Sequence, residues 1–167
     1  MAKLEKLKGI GDKQIERLEK AGINNIDALL KWGSTPDGRS EIAALTKIST
    51  RRIADWVHRC DLMRINGVDD DYARLLARAG VAGVVDLSTR NPMELAGEVD
   101  IASAIEGLKK KTPRETTLAN WVEQARLMLR HVWYHDTWGA PSLTGRAPKR
   151  YQGPRYQERA SRSCRRA

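Results

Sequence analysis

The chain has 167 residues, a formal net charge of +9 and a 41% hydrophobic composition without a single Phe. That length suits one compact domain or two very small ones, with Leu, Ile, Val and Ala filling the core. No apolar run approaches the roughly 18 residues of a membrane span, and no apolar stretch follows the charged start MAKLEKLKGIG, so neither a membrane partner nor a signal peptide is expected.

The elements are predicted to be helical throughout. After the turn Leu7-Lys8-Gly9-Ile10-Gly11, Asp12 starts a helix in which Ile15, Leu18 and Ala21–Ile23 follow a 3–4 spacing. Gly22 sits where that helix stops and the backbone must turn left-handed. Gly33-Ser-Thr-Pro-Asp-Gly38 reads as a loop. Thr50 starts a longer helix whose apolar stripe is Ile53, Trp56, Val57, Cys60 and Met63. Asp69 opens the next one, with Tyr72, Leu75, Leu76 and Ala79 on its stripe and Gly80 at its end. The last helix carries Leu118, Trp121, Val122, Ala125, Met128, Leu129 and Val132 on one face.

These elements repeat. LKGIGDKQIERLEKAGINNIDALL from Leu7 aligns without gaps with INGVDDDYARLLARAGVAGVVDLS from Ile65, matching Gly9 to Gly67 and Ala21-Gly22 to Ala79-Gly80. RRIADWVHRCDLM from Arg51 resembles TTLANWVEQARLM from Thr116, which pairs Trp56 with Trp121. Duplication of one supersecondary unit explains this self-similarity. Both tryptophans, at helical spacing beside valines, are expected in the core, and Cys60 is expected buried beside them. The two cysteines, Cys60 and Cys164, lack metal-type spacing and argue against a disulfide framework, which fits a reducing, cytoplasmic compartment.

From Asp136 onward the apolar period fails. Residues 134–167 hold eight Lys/Arg against two acids, so this tail carries +6 and the rest of the chain only +3. Arg150-Tyr151-Gln152 recurs as Arg155-Tyr156-Gln157. Basic residues interleaved with aromatics suit a nucleic-acid strand, where rings stack on bases and arginines meet phosphates.

The segment GIGDKQIERLEKAGI resembles a helix-hairpin-helix motif, a Gly-x-Gly turn between two helices. The wider wording, from GIG…LEKAGINNIDALL through GRSEIAALTKIS and DLMRINGV to LLARAGVAGVVDLSTRNP, resembles an uncharacterised family of bacterial proteins over about residues 7–131. That family is catalogued as a domain of unknown function with paired helix-hairpin-helix motifs. The fold expected is therefore all-α: one unit at 1–62 and a second at 63–133, packed as one small helical domain, then a disordered basic tail at 134–167.

The resemblance implies that Gly9, Ile10, Gly11 and Lys13 form a backbone-binding turn, with Lys8 beside it. Physically, the free amides at a helix start and the flanking lysines make an anion site for one phosphate without base reading. The second turn departs from this pattern, because Gly67-Val68-Asp69-Asp70-Asp71 puts three acids where a phosphate would lie. The first expectation is a nucleic-acid-binding module that holds a DNA or RNA backbone through Lys8, Gly9, Ile10, Gly11 and Lys13, and through Lys149, Arg150, Tyr151, Arg155 and Tyr156 of the tail. The alternative is a protein-docking module, because paired units of this kind also resemble the acidic repeats that end some transcription elongation factors. Neither a Ser/His/Asp arrangement nor a Walker-type loop is visible, so no enzyme, cofactor or small-molecule substrate is expected. His131 and His135 stand four apart but lack a third metal ligand other than Asp136.

Overall fold

The computed structural model describes residues 3–106 and 112–133. Among them the elements are a 3-10 turn at Leu4–Lys6 and α1 (Asp12–Lys20), α2 (Ile26–Trp32), α3 (Pro36–Thr46), α4 (Thr50–Leu62), α5 (Asp70–Arg78), α6 (Val84–Ser88), α7 (Pro92–Glu106) and α8 (Glu115–Leu127), with no strand. The protein is all-helical. No described helix is long and apolar enough to cross a membrane.

Local chemistry accounts for the helix ends. The Asn25, Thr35 and Asp69 side chains accept from Ala28 N, Gly38 N and Tyr72 N, which caps α2, α3 and α5. α1 and α5 end alike. Gly22 (φ +88°) and Gly80 (φ +89°) adopt the left-handed conformation after each helix. The next residue then donates back into the last turn, Ile23 N to Leu18 O at 2.9 Å and Val81 N to Leu76 O at 3.0 Å. Ile23 and Val81 are both fully buried, so each reversal drops an apolar side chain straight into a core.

Two segments differ from the sequence expectation. The loop is shorter than 33–38, because Thr35 caps a helix in which Pro36 takes the first position, where its missing N–H costs nothing. Gly38 belongs to the first turn of α3 and lies against the end of α2. A Cβ there would stand 2.0 Å from the Trp32 carbonyl oxygen, which is backbone and cannot swing aside. Gly38→Ala should therefore lower stability by about 1–3 kcal/mol through forced helix separation. An unchanged denaturation midpoint would show that α3 moves off α2 freely. The last stripe also stops early: α8 ends at Leu127 and Leu129 is 80% exposed. The segment after it turns back toward the N-terminal half.

Two hydrophobic clusters follow the two sequence repeats. The first gathers Leu18, Ile23, Ile26, Leu29, Ile42, Ile53, Trp56, Val57 and Cys60. The second gathers Leu62, Ile65, Leu75, Leu76, Val84, Leu87, Leu95, Val99, Leu118, Trp121 and Val122. Trp56 and Trp121 occupy the expected equivalent core positions, and Trp121 meets Tyr72 in a tilted ring contact at 5.2 Å. α4 belongs to both clusters: its stripe faces the first, Leu62 enters the second, and Met63 packs against each. The C-terminal segment then ties the halves again. Val132 is buried in the first cluster, Trp133 N donates to Ser34 O at 2.7 Å, and Arg39 Nη2 donates to Trp133 O at 2.8 Å.

Candidate functional site

The Gly9 turn starts from a glycine at φ +87°, a conformation that other residues adopt at a cost. Its polar groups are largely engaged within the protein. Ile10 N donates to Leu7 O at 3.4 Å, and Gly11 N donates to Gln14 Oε1 at 3.1 Å. Lys8 N donates to Asp70 Oδ2 at 2.9 Å, while Lys8 O accepts from Arg59 Nη2 at 2.8 Å. The Lys8 ammonium forms an ion pair with Asp71 at 2.7 Å, and the hydrogen bond to Asp71 raises its pKa above the ordinary lysine value. Lys13, on the first turn of α1, is exposed.

The three acids after Gly67 thus divide into three structural roles. Asp69 caps α5, Asp70 is buried and Asp71 neutralises Lys8. Asp70 Oδ1 accepts from Arg59 Nε at 2.9 Å and also from Arg59 Nη2, with both side chains 5% exposed. A buried pair of this kind is tolerable because further hydrogen bonds use the remaining lone pairs and protons. Here the second carboxylate oxygen goes to Lys8 N and the guanidinium goes to Lys8 O, so one ion pair joins the two glycine turns through α4.

Comparing the repeats shows which part of this clamp each half needs. Gln124 of α8 stands where Arg59 stands in α4, and Asn66 stands where Lys8 stands. Asn66 N donates to Gln124 Oε1 at 3.0 Å, and Gln124 Nε2 donates to Asn66 O at 3.4 Å. An amide therefore suffices to hold a turn against its own helix. Arg59 does that and also reaches the other turn. The neighbouring positions diverge in the same sense. His58 and Asp61 are buried, whereas their equivalents Glu123 and Arg126 are exposed. Asp61 accepts from Val84 N at 3.0 Å and from Arg64 Nη1 at 2.8 Å. His58 Nδ1 donates to Ala82 O at 2.7 Å, and burial pushes its pKa down to about 4.

The outer surface of α7 has a different character. Leu95, Val99 and Ala102 face the second cluster, yet Met93 (69% exposed), Ile101 (48%) and Ile105 (59%) face solvent. The helix carries Glu94, Glu98, Asp100 and Glu106 and no Lys or Arg. Elsewhere a shallow groove between α2 and α3 is walled by Trp32, Asp37 and Glu41, with Trp32 Nε1 donating to Glu41 at 3.1 Å. Among the described residues no group of three His, Cys, Asp or Glu side chains converges as a metal site. Cys60 is buried and free, its thiol pushed well above the usual range by burial.

Of the residues expected to hold phosphate, the structure gathers Lys8, Gly9, Ile10, Gly11 and Lys13 at one turn, with Lys8 turned to Asp71. Lys149, Arg150, Tyr151, Arg155 and Tyr156 lie outside the described residues, as does His135. Sequence reasoning missed His58, Arg59 and Asp61 as buried polar groups. Their divergence from Glu123, Gln124 and Arg126 in the repeat was the available signal.

Residues 8–128 match the model of a family described as Domain of unknown function (DUF4332). No curated protein and no solved structure matches the chain.

Proposed function

The chain belongs to the DUF4332 family, and from its geometry we propose that it is a non-enzymatic protein-docking module whose basic tail, rather than its first glycine turn, meets nucleic-acid phosphates. The observation that supports this is the engagement of the Gly9 turn by Asp70 and Asp71. If the segment is a helix-hairpin-helix turn, its Lys8 ammonium and Lys8 amide already serve the contact between repeats, and its Gly11 amide is taken up locally by Gln14. A phosphate brought to Lys8 would meet the Asp71 carboxylate, and like charge at that position opposes binding. The remaining surface of the helical body is mixed in sign, with an apolar and acidic face on α7, which suits a protein better than a polyanion.

The tail supports the second part of the reading. Its eight Lys/Arg in 34 residues and the repeated Arg-Tyr-Gln suit sequence-independent contact with a DNA or RNA backbone. The chain then has two handles, a body of mixed charge for a protein and a cationic tail for a polyanion.

The test is anisotropy binding of the full chain to labelled duplex DNA and single-stranded RNA across a salt series. Lys8→Ala should leave the log–log salt slope on duplex DNA unchanged. Replacing Lys149, Arg150 and Arg155 by Gln should flatten it by about 0.9 for each phosphate contact removed. A flattening of about 0.9 on Lys8→Ala, with the tail intact, would make the turn a nucleic-acid site and overturn the reading.

A further inference from the structure

α7 is apolar on two opposite faces. One packs Leu95, Val99 and Ala102 into the second cluster. The other is a column with four-residue spacing, Met93, Gly97, Ile101 and Ile105, all exposed. At about 100° per residue this column lies on the far side of the helix from the buried one. A surface helix of a globular protein ordinarily turns a polar face outward, so an apolar outer column marks a contact surface. Gly97 sits in the middle of it, and a Cβ there would meet nothing within 4 Å, which leaves room for an incoming side chain.

The flanks of the column are acidic. Asp100 borders one side and Glu94 and Glu98 the other. Glu98 is met by Arg90 at 3.3 Å, whereas among the described residues Glu94 and Asp100 form no ion pair. A second copy of α7 laid on the first would set these carboxylates against one another. A partner bearing cations beside its own apolar stripe would pair with them while covering the isoleucines.

We infer that the Met93–Gly97–Ile101–Ile105 face of α7 is the docking surface, and that it takes a cationic amphipathic helix of a partner protein. This rests on the protein-docking reading above and specifies its partner. Recognition is helix against helix: the apolar stripe supplies the contact area, and the acidic borders select Lys/Arg flanks and reject acidic ones.

The experiment uses the full-length protein and three labelled synthetic helical peptides: a Leu stripe with Lys flanks, the same stripe with Glu flanks, and Lys flanks with Ser replacing the Leu stripe. Anisotropy should show the Leu/Lys peptide binding well ahead of the other two. Ile101→Ser/Ile105→Ser, both at exposed positions, should weaken it at least tenfold (about 1.4 kcal/mol). Glu94→Lys/Asp100→Lys should shift the preference toward the Glu-flanked peptide. Equal binding of the Leu/Lys peptide to the parent and the double-Ser protein would overturn the assignment of the face. Tightest binding of the Glu-flanked peptide through the same isoleucines would overturn the cationic partner while leaving the docking reading intact. Absence of binding by any peptide would overturn the inference. If sedimentation then shows association lost on Ile101→Ser/Ile105→Ser, the occupant is a second copy. If neutralising the tail arginines opens the face to the Leu/Lys peptide, the occupant is the chain's own tail. Failure of the docking reading itself has a separate signature, the flattened salt slope of Lys8→Ala.

Discussion

Asp70→Ala should destabilise the protein by about 3–5 kcal/mol, because it strands the Arg59 guanidinium in a buried site without its counter-charge. Both side chains are 5% exposed, so water cannot replace the lost carboxylate. The same substitution removes the acceptor for Lys8 N. Three structural parts lose a common partner at once: the Gly9 turn, α4 and the start of α5. For a chain of this length the midpoint of thermal unfolding should fall on the order of 10 °C. Asp70→Asn separates the contributions. It preserves an acceptor oxygen but not the charge, so its loss should be smaller than that of Asp70→Ala. Equilibrium denaturation decides it. A cost below about 1 kcal/mol for Asp70→Ala would show that Arg59 finds another carboxylate, and Asp55, at 3.3 Å from Nη1, is the one in reach.

The second large effect is a dependence on pH. His58 is neutral in the folded protein, held as the Nδ1–H tautomer by its bond to the Ala82 carbonyl. Burial depresses its pKa to about 4 against an ordinary 6.5; the Ala82 bond opposes that shift and the nearby Arg39 charge adds to it. Between these two values the unfolded chain binds a proton that the folded one does not. Stability from this group is therefore complete above pH 6.5 and drains away as pH falls toward 4. The total is about 3 kcal/mol, from roughly 2.5 pKa units at 1.36 kcal/mol each. Carboxylates elsewhere also titrate near the lower end, so the informative quantity is the difference between the parent and His58→Asn. Asn keeps an N–H for the Ala82 carbonyl and cannot take up the proton. Unfolding free energies of the two should converge or cross by about 3 kcal/mol between pH 7 and pH 4. Parallel curves would show that His58 is protonated without penalty.

The repeated elements were legible in the sequence because each depends on short-range chemistry. Gly22 and Gly80 mark helix reversals through a backbone conformation that glycine adopts freely, and Asp69 marks a cap. Trp56 and Trp121 mark core faces by helical spacing. α7 was not legible: with Leu95 and Val99 on one face and Met93 and Ile101 on the other, it has no single apolar stripe to betray a helix. The start of α3 was hidden by Pro36 and Gly38, which read as loop residues in isolation. Here the proline sits at a first helical position and the glycine under a crossing backbone. The Gly9 turn itself was read correctly as a glycine turn beginning a helix. What Lys8 faces was not readable, because Asp71 lies 63 positions away and only the packing of the two repeats brings them together.

The return of the C-terminal segment has a consequence for how the protein is made. Val132 fills part of the core formed by Leu29, Leu30 and Ile42, and the Trp133 backbone bonds Ser34. A nascent chain leaves the ribosome from its N-terminus, so the amino-terminal core, assembled through Cys60, waits for its last piece while about 70 further residues are added. At ordinary elongation rates that wait is roughly 4–14 s. Translation order thus makes the half of the protein synthesised first the half completed last, and a stall late in translation would leave that core open to other chains.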